Sequence, residues 1–150
     1  MPSYELEPLW RRREWELDAA RLGLAGASSA LALAERRLET LQVRFAAGRT
    51  HASRRAQDAG AFSLHSQRVA VAYFGALLRA IESAGEEVRR LDAERERAMR
   101  DVLEASVAFE AVDRHRAGAL AEHESATRRK ELASADEAWT QRAGRDAVHE

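Results

Sequence analysis

Along residues 22–41, LGLAGASSALALAERRLETL, leucine returns at every seventh position: Leu24, Leu31 and Leu38. The series extends in both directions as Trp10, Leu17, Leu24, Leu31, Leu38 and Phe45. Three or four places further on, a second series runs Ala20, Ala27, Ala34 and Leu41. Apolar residues alternating at three and four are the a and d positions of a coiled-coil helix. The pattern predicts a first helix over about residues 9–47, after a frayed lead-in at Met1–Pro8. The stripe then lapses through GRTHASRRAQDAG, which carries two glycines, Arg49, His51, Arg54 and Arg55. A turn is expected over about residues 48–63. A second stripe follows, with Phe74, Ile81, Val88, Arg95, Val102 and Phe109 at a, and Leu77, Ala84, Leu91, Ala98, Ala105 and Val112 at d. It predicts a second helix over about residues 64–142. Beyond Val112 the a series becomes polar, at Arg116, His123, Lys130 and Glu137, while Ala119, Ala126 and Ala133 continue the d series.

Two helices joined near residue 57 and folded antiparallel would pair positions summing to about 115, setting Trp10 near Ala105. The first helix would then run out where the second loses its large side chains. A parallel dimer gives no reason for the stripe to stop there. The expected fold is therefore all-α: one domain over residues 1–150, a long two-helix antiparallel coiled-coil hairpin with a longer C-terminal helix. An arm of about 45 residues would measure roughly 68 Å at about 1.5 Å per residue. An elongated monomer is the expected free state. The small d residues let two backbones approach closely, which explains why leucine alternates with alanine.

Composition narrows the function classes. Aromatic residues make up 6% of the chain and charged residues 33%, too little bulk for a thick core and enough charge for long solvated helices. The net charge of −1 gives no global field that selects nucleic acid or a membrane. Cysteine is absent, so disulfides, thiolate metal sites and thiol nucleophiles are excluded. The longest apolar run, VAVAYFGALL at Val69–Leu78, is too short to span a bilayer.

Catalytic patterns are missing from the sequence. There is no phosphate-binding GxxxxGK[ST] loop, no GxSxG and no HExxH. His115 and His123 share roughly one helical face near Glu122 and Glu124, a spacing that admits a metal but is the ordinary dress of a solvated helix. Most carboxylates stand three or four residues from an arginine, as solubilising pairs. A helical hairpin has no concave pocket in which to shift an acid's pKa, so neither catalysis nor a cofactor or metal is expected. Arg49, Arg54, Arg55 and Arg68 face one acid, Asp58, and could touch phosphates; without interleaved aromatics a solvated turn is the better reading. Arg11–Arg13 beside Trp10 and Trp15 reads as arginine stems packed on tryptophan.

Three stretches, taken in order, carry a family resemblance. AERRLETL (34–41) supplies Ala34, Glu35, Leu38 and Leu41; YFGALLRAIES (73–83) supplies Phe74, Leu77, Ala80 and Ile81; RRKELASADEAWTQR (128–142) supplies Lys130, Glu131, Asp136 and Glu137. Together they resemble the FliJ/YscO family of type III secretion, small cytoplasmic helical proteins of flagellar and injectisome export systems. The resemblance spans nearly the whole chain and fits either branch.

That resemblance implies a non-enzymatic central stalk, similar to the two-helix coiled coil of a rotary ATPase rotor. It implies a cytoplasmic protein at the face of a bacterial export apparatus. Its termini would enter the ring of the hexameric export ATPase, and its turn end would approach the cytoplasmic domain of the export gate. Some members also bind export chaperones. Carried over residue by residue, it assigns gate contacts to Leu41, Tyr73, Leu77 and Ala80, and ATPase contacts to Lys130, Glu131, Asp136 and Glu137. Leu41 and Leu77 also lie on the a/d seam, where they would be core; Tyr73 lies off it. The alternative is a chaperone-like or scaffolding coiled-coil hairpin unrelated to secretion, gripping clients around Leu64–Phe74.

Overall fold

The heptad pattern becomes two helices in the computed structural model, which describes residues 4–58 and 63–146. Helix α1 spans Glu7–Asp58, 52 residues, and α2 spans Leu64–Asp146, 83 residues. No strand occurs among the described residues, and the architecture is an all-α helical hairpin.

Local chemistry sets the described helix starts. Pro8 sits in the first turn of α1, where its missing N–H costs nothing, and Glu7 puts a negative charge at the positive end of the helix dipole. The Glu7 N–H donates to the Tyr4 carbonyl at 3.0 Å. Ser63 caps α2: its Oγ accepts from the Ser66 N–H at 3.2 Å, satisfying a donor that the first turn leaves without a partner.

Both helices reach further than the lapse in the stripe suggested. α1 begins at Glu7 rather than 9, and it runs without a break through Gly48 to Asp58, where the turn was expected. α2 continues to Asp146, past the expected end at 142. Of the expected turn, residues 59–62 lie outside the described residues. The cause at Gly48 is packing. A Cβ built there would stand 3.1 Å from Phe74 Cε1. Glycine at this position makes room for a ring from α2 and does not break the helix. The alanines at 46, 47, 52 and 56 supply helix propensity on either side.

The chain divides into two compact units, residues 18–103 and residues 1–17 with 104–150. In the first, α1 and α2 run antiparallel, and the aromatic pair Phe45–Phe74 meets edge-on at 5.7 Å. Leu31 and Leu77 are buried in this unit, and Leu24, Ala27, Ala34, Leu38, Leu41, Ile81, Ala84, Val88, Leu91 and Ala98 are half-buried. All were assigned to the seam from spacing. Arg95, a polar a position, is also half-buried and lies 3.3 Å from Asp92.

The second unit is antiparallel as well. Leu17 is its buried residue, and Trp10 packs on Phe109 with ring centroids 5.7 Å apart. Trp10 therefore pairs one helical turn beyond Ala105, its expected partner. The reason is the longer α1: a helix that continues to Asp58 moves the point of reversal along the chain and shifts the pairing with it.

Candidate functional site

A seam between only two helices leaves most side chains exposed, so contact surfaces rather than cavities are what this fold offers. Two sets of residues carry the expectations drawn from the sequence, one on each unit.

The gate set lies in the 18–103 unit. Leu41 and Ala80 are half-buried, Leu77 is only 9% exposed and Tyr73 is 53% exposed. Carried one turn along, the Phe45–Phe74 pairing brings Leu41 to the level of Leu77 and Ala80. The structure thus gathers three of the four into the seam. Tyr73 alone is exposed, its ring held edge-on against Phe74 at 5.5 Å. Beside it lies a groove of about 600 Å³ lined by Gly48, His51, Arg55, His65, Val69 and Tyr73, among others. Spacing did not single out the two histidines as neighbours. The signal was available, because His51 follows Gly48 by one turn and Gly48 is itself a seam residue.

The ATPase set lies on α2 in the other unit. Lys130, Glu131, Asp136 and Glu137 are all exposed, as is every residue from 127 to 140. Ala126 is the last seam position to be covered; Ala133 is exposed. This stretch is helical with no side of it packed, so its charged side chains are exposed all round; Arg128 reaches back to Glu124 at 3.8 Å. Two large apolar residues stand among them, Leu132 and Trp139, the latter 71% exposed. Residue-type matching passed over both because they fall outside the alanine series, yet they are seven apart and share one face.

Where the start of α1 meets α2 lies a polar clamp. The Trp10 Nε1–H donates to Asp113 Oδ1 at 2.9 Å. The Arg116 guanidinium lies 4.6 Å from the Trp10 ring, a cation–π distance. Its Nε is 3.1 Å from Glu7 Oε2, close enough for charge attraction but not aligned as a hydrogen bond. Tyr4 Oη and His115 Nδ1 are 2.8 Å apart. Tyr4 is thus held on α2, where a frayed lead-in was expected. Arg116, read as the end of the stripe, is half-buried and continues it. Arg11, Arg12 and Arg13 pair with Glu7 and Glu16, and the cation over Trp10 comes from α2 instead.

Exposed ion pairs along each helix shift the titration of their own members. Hydrogen bonds from Arg12 and then Arg13 hold Glu16 below the ordinary glutamate value, and a hydrogen bond from Arg90 does the same to Glu87. Glu87 in turn raises Arg90. None of these groups is removed from water, so they mark surface pairing and not a reaction centre. Among the described residues no three His, Asp or Glu side chains gather as a metal site, and no helix is long and apolar enough to cross a membrane.

Comparison with known proteins places the chain beside one family. The family model described as Flagellar FliJ protein matches residues 2–147. No curated protein matches the chain. No solved structure matches it.

Proposed function

The chain belongs to the FliJ family, and from that membership we propose that it serves a type III export apparatus as a stalk joining the hexameric export ATPase to the export gate. In this reading the uncovered end of α2 enters the ATPase ring on the cytoplasmic side of the membrane. The end of the hairpin where α1 passes into α2 meets the cytoplasmic domain of the gate. Export chaperones are further partners by the same membership. The chain contributes position and contact, not chemistry.

The observation that supports this most is the contrast along α2. From Phe74 to Ala119 its seam positions are covered, His123 is exposed, and from 127 to 140 every residue is exposed. A helix of fourteen uncovered residues is marginal in water, because most helical stability in proteins comes from a packed face. A partner that surrounds it would supply that face. Lys130, Glu131, Asp136 and Glu137 would contact a ring lined by charges of both signs, with Leu132 and Trp139 as apolar anchors among them. At the other end Tyr73 is the exposed member of the gate set, while Leu41, Leu77 and Ala80 hold the seam that positions it.

Purified protein added to the export ATPase of the same organism tests this reading. ATP hydrolysis should rise on addition of the chain. Reversing all four charges (Lys130→Glu, Glu131→Lys, Asp136→Lys, Glu137→Lys) should abolish the rise with helix content unchanged. Tyr73→Ala should leave the ATPase response intact and weaken capture of the gate domain about ten-fold, the scale of one exposed aromatic anchor. An ATPase indifferent to the wild-type chain would refute the proposal.

A further inference from the structure

The end of the 18–103 unit where α1 gives way to α2 differs from the rest of the surface in charge. Between residues 40 and 81 stand six arginines, Arg44, Arg49, Arg54, Arg55, Arg68 and Arg79, and one acid, Asp58. Elsewhere seven arginines, among them Arg12, Arg21 and Arg90, pair with carboxylates three or four residues away. Here, among the described residues, Arg44, Arg49, Arg68 and Arg79 make no ion pair.

The same end exposes apolar side chains that the seam does not use. Leu64, Val71 and Leu78 recur every seventh residue on one flank of the seam residues Ala70, Phe74 and Leu77. Leu64 is 68% exposed and Val71 73%. Val69 and Tyr73, also exposed, fall on the opposite flank. The arginines are spread in the same way: by helical geometry Arg49 lies on one flank of the α1 seam, Arg44 on the other, Arg55 on the seam register seven residues after Gly48, and Arg54 faces away from it. A folded protein partner reads one face of a helix pair. Cations and apolar side chains set all round one end suit a partner with no fixed face, an anionic fluid surface in which arginines meet phosphates and apolar side chains enter the acyl boundary.

We propose that this end of the hairpin binds anionic phospholipid bilayers. The site comprises Arg44, Arg54 and Arg68 as phosphate contacts with Leu64, Val71 and Tyr73 as shallow apolar insertions. Its ligand is the phosphodiester surface of an acidic lipid such as phosphatidylglycerol. The attraction is electrostatic first, so it weakens as salt shortens the screening length from about 10 Å at 0.1 M to about 3 Å at 1 M. The inference does not depend on the export role, since no export component takes part in the contact or in its test.

Flotation of the full chain with vesicles decides it. Phosphatidylcholine vesicles containing about a quarter phosphatidylglycerol should carry the protein, and pure phosphatidylcholine vesicles should not. Binding should fall about ten-fold or more between 0.1 M and 1 M NaCl. Arg54→Glu with Arg68→Glu should weaken it about thirty-fold or more, since each basic side chain near such a surface contributes about one kcal/mol. Leu64→Ser with Val71→Ser should weaken it less and leave its salt dependence in place. Both pairs lie off the seam, and circular dichroism should show unchanged helix content. Absence of flotation with anionic vesicles, or equal flotation with neutral ones, would overturn the proposal. So would polyglutamate in solution binding as tightly as the anionic vesicles, which would identify an acidic protein surface instead.

Discussion

Two aromatic clamps hold α1 against α2, one in each unit, and they solve the same problem with different chemistry. Around Phe74 the contact is mainly apolar: Phe45 edge-on, the Tyr73 ring, and the bare backbone of Gly48, with the exposed Arg49 guanidinium 6.0 Å from the far ring, Phe45. Around Trp10 it is mixed: Phe109 supplies packing, Arg116 a cation, Asp113 an acceptor, and Glu7 a balancing charge. The apolar clamp obeys the heptad rule. The polar clamp shows that an a position can hold arginine and still belong to the seam, provided an aromatic face receives it. Polarity in the sequence therefore does not mark where the pairing stops; loss of cover on both a and d positions does.

Truncation should separate the two clamps most strongly. Phe74→Ala and Trp10→Ala should each cost about 2–3 kcal/mol, somewhat below the range for fully buried rings because both are half-buried. Chemical denaturation would measure this. The conservative variants should then diverge. Phe74→Leu should recover most of the loss, while Trp10→Phe should stay about 1 kcal/mol below the wild type because Asp113 loses its donor. Equal recovery at both sites would mean that the Trp10 hydrogen bond and cation contribute nothing beyond packing.

A smaller effect tests the reading of Gly48. A Cβ at Gly23 or Gly26 meets no atom within 4 Å, so alanine there should stabilise by up to about 1 kcal/mol through helix propensity alone. Gly48→Ala should show no such gain, since its methyl would press on Phe74. Thermal midpoints of the three single variants decide the matter, and a gain at Gly48 equal to that at Gly23 would remove the close-packing explanation.

The smallest expected effect is acid sensitivity. Glu16 and Glu87 titrate lower in the folded chain than their ordinary value of 4.5. A lowered folded pKa means stability that is present above the unfolded value and is lost as pH falls through the folded one. The thermal midpoint should therefore decline slightly as pH drops below about 4.5. Glu16→Gln with Glu87→Gln should flatten that decline; an unchanged acid limb would show that these pairs do not couple to folding.

The seam was legible from spacing because a two-helix interface has one solution: every a and d position named up to Ala126 is covered, from Trp10 to Phe45 and from Phe74 to Ala126, except His123. The register was not legible, since it depends on where the helices reverse, and Gly48 reads identically in a turn and under a ring. Pairing across more than a hundred residues, such as Tyr4 with His115, leaves no local trace in the sequence. Of the candidate contacts, the charged quartet stands exposed as residue type alone suggested. The gate set divides between core and surface because Leu41 and Leu77 carry seam spacing and Tyr73 does not.

Helix α2 joins two kinds of helix end to end, one covered and one exposed on every side. Amide hydrogen exchange read by mass spectrometry measures that difference directly. In the free chain, amides in the covered stretch 77–119 should be strongly protected and those from 127 to 140 should exchange rapidly, since local opening is least costly where few apolar contacts oppose it. Saturating export ATPase should slow exchange over 127–140 and leave 77–119 unchanged. Strong protection of 127–140 in the free chain, or no slowing when the ATPase is added, would show that this stretch is not a surface held open for the ring.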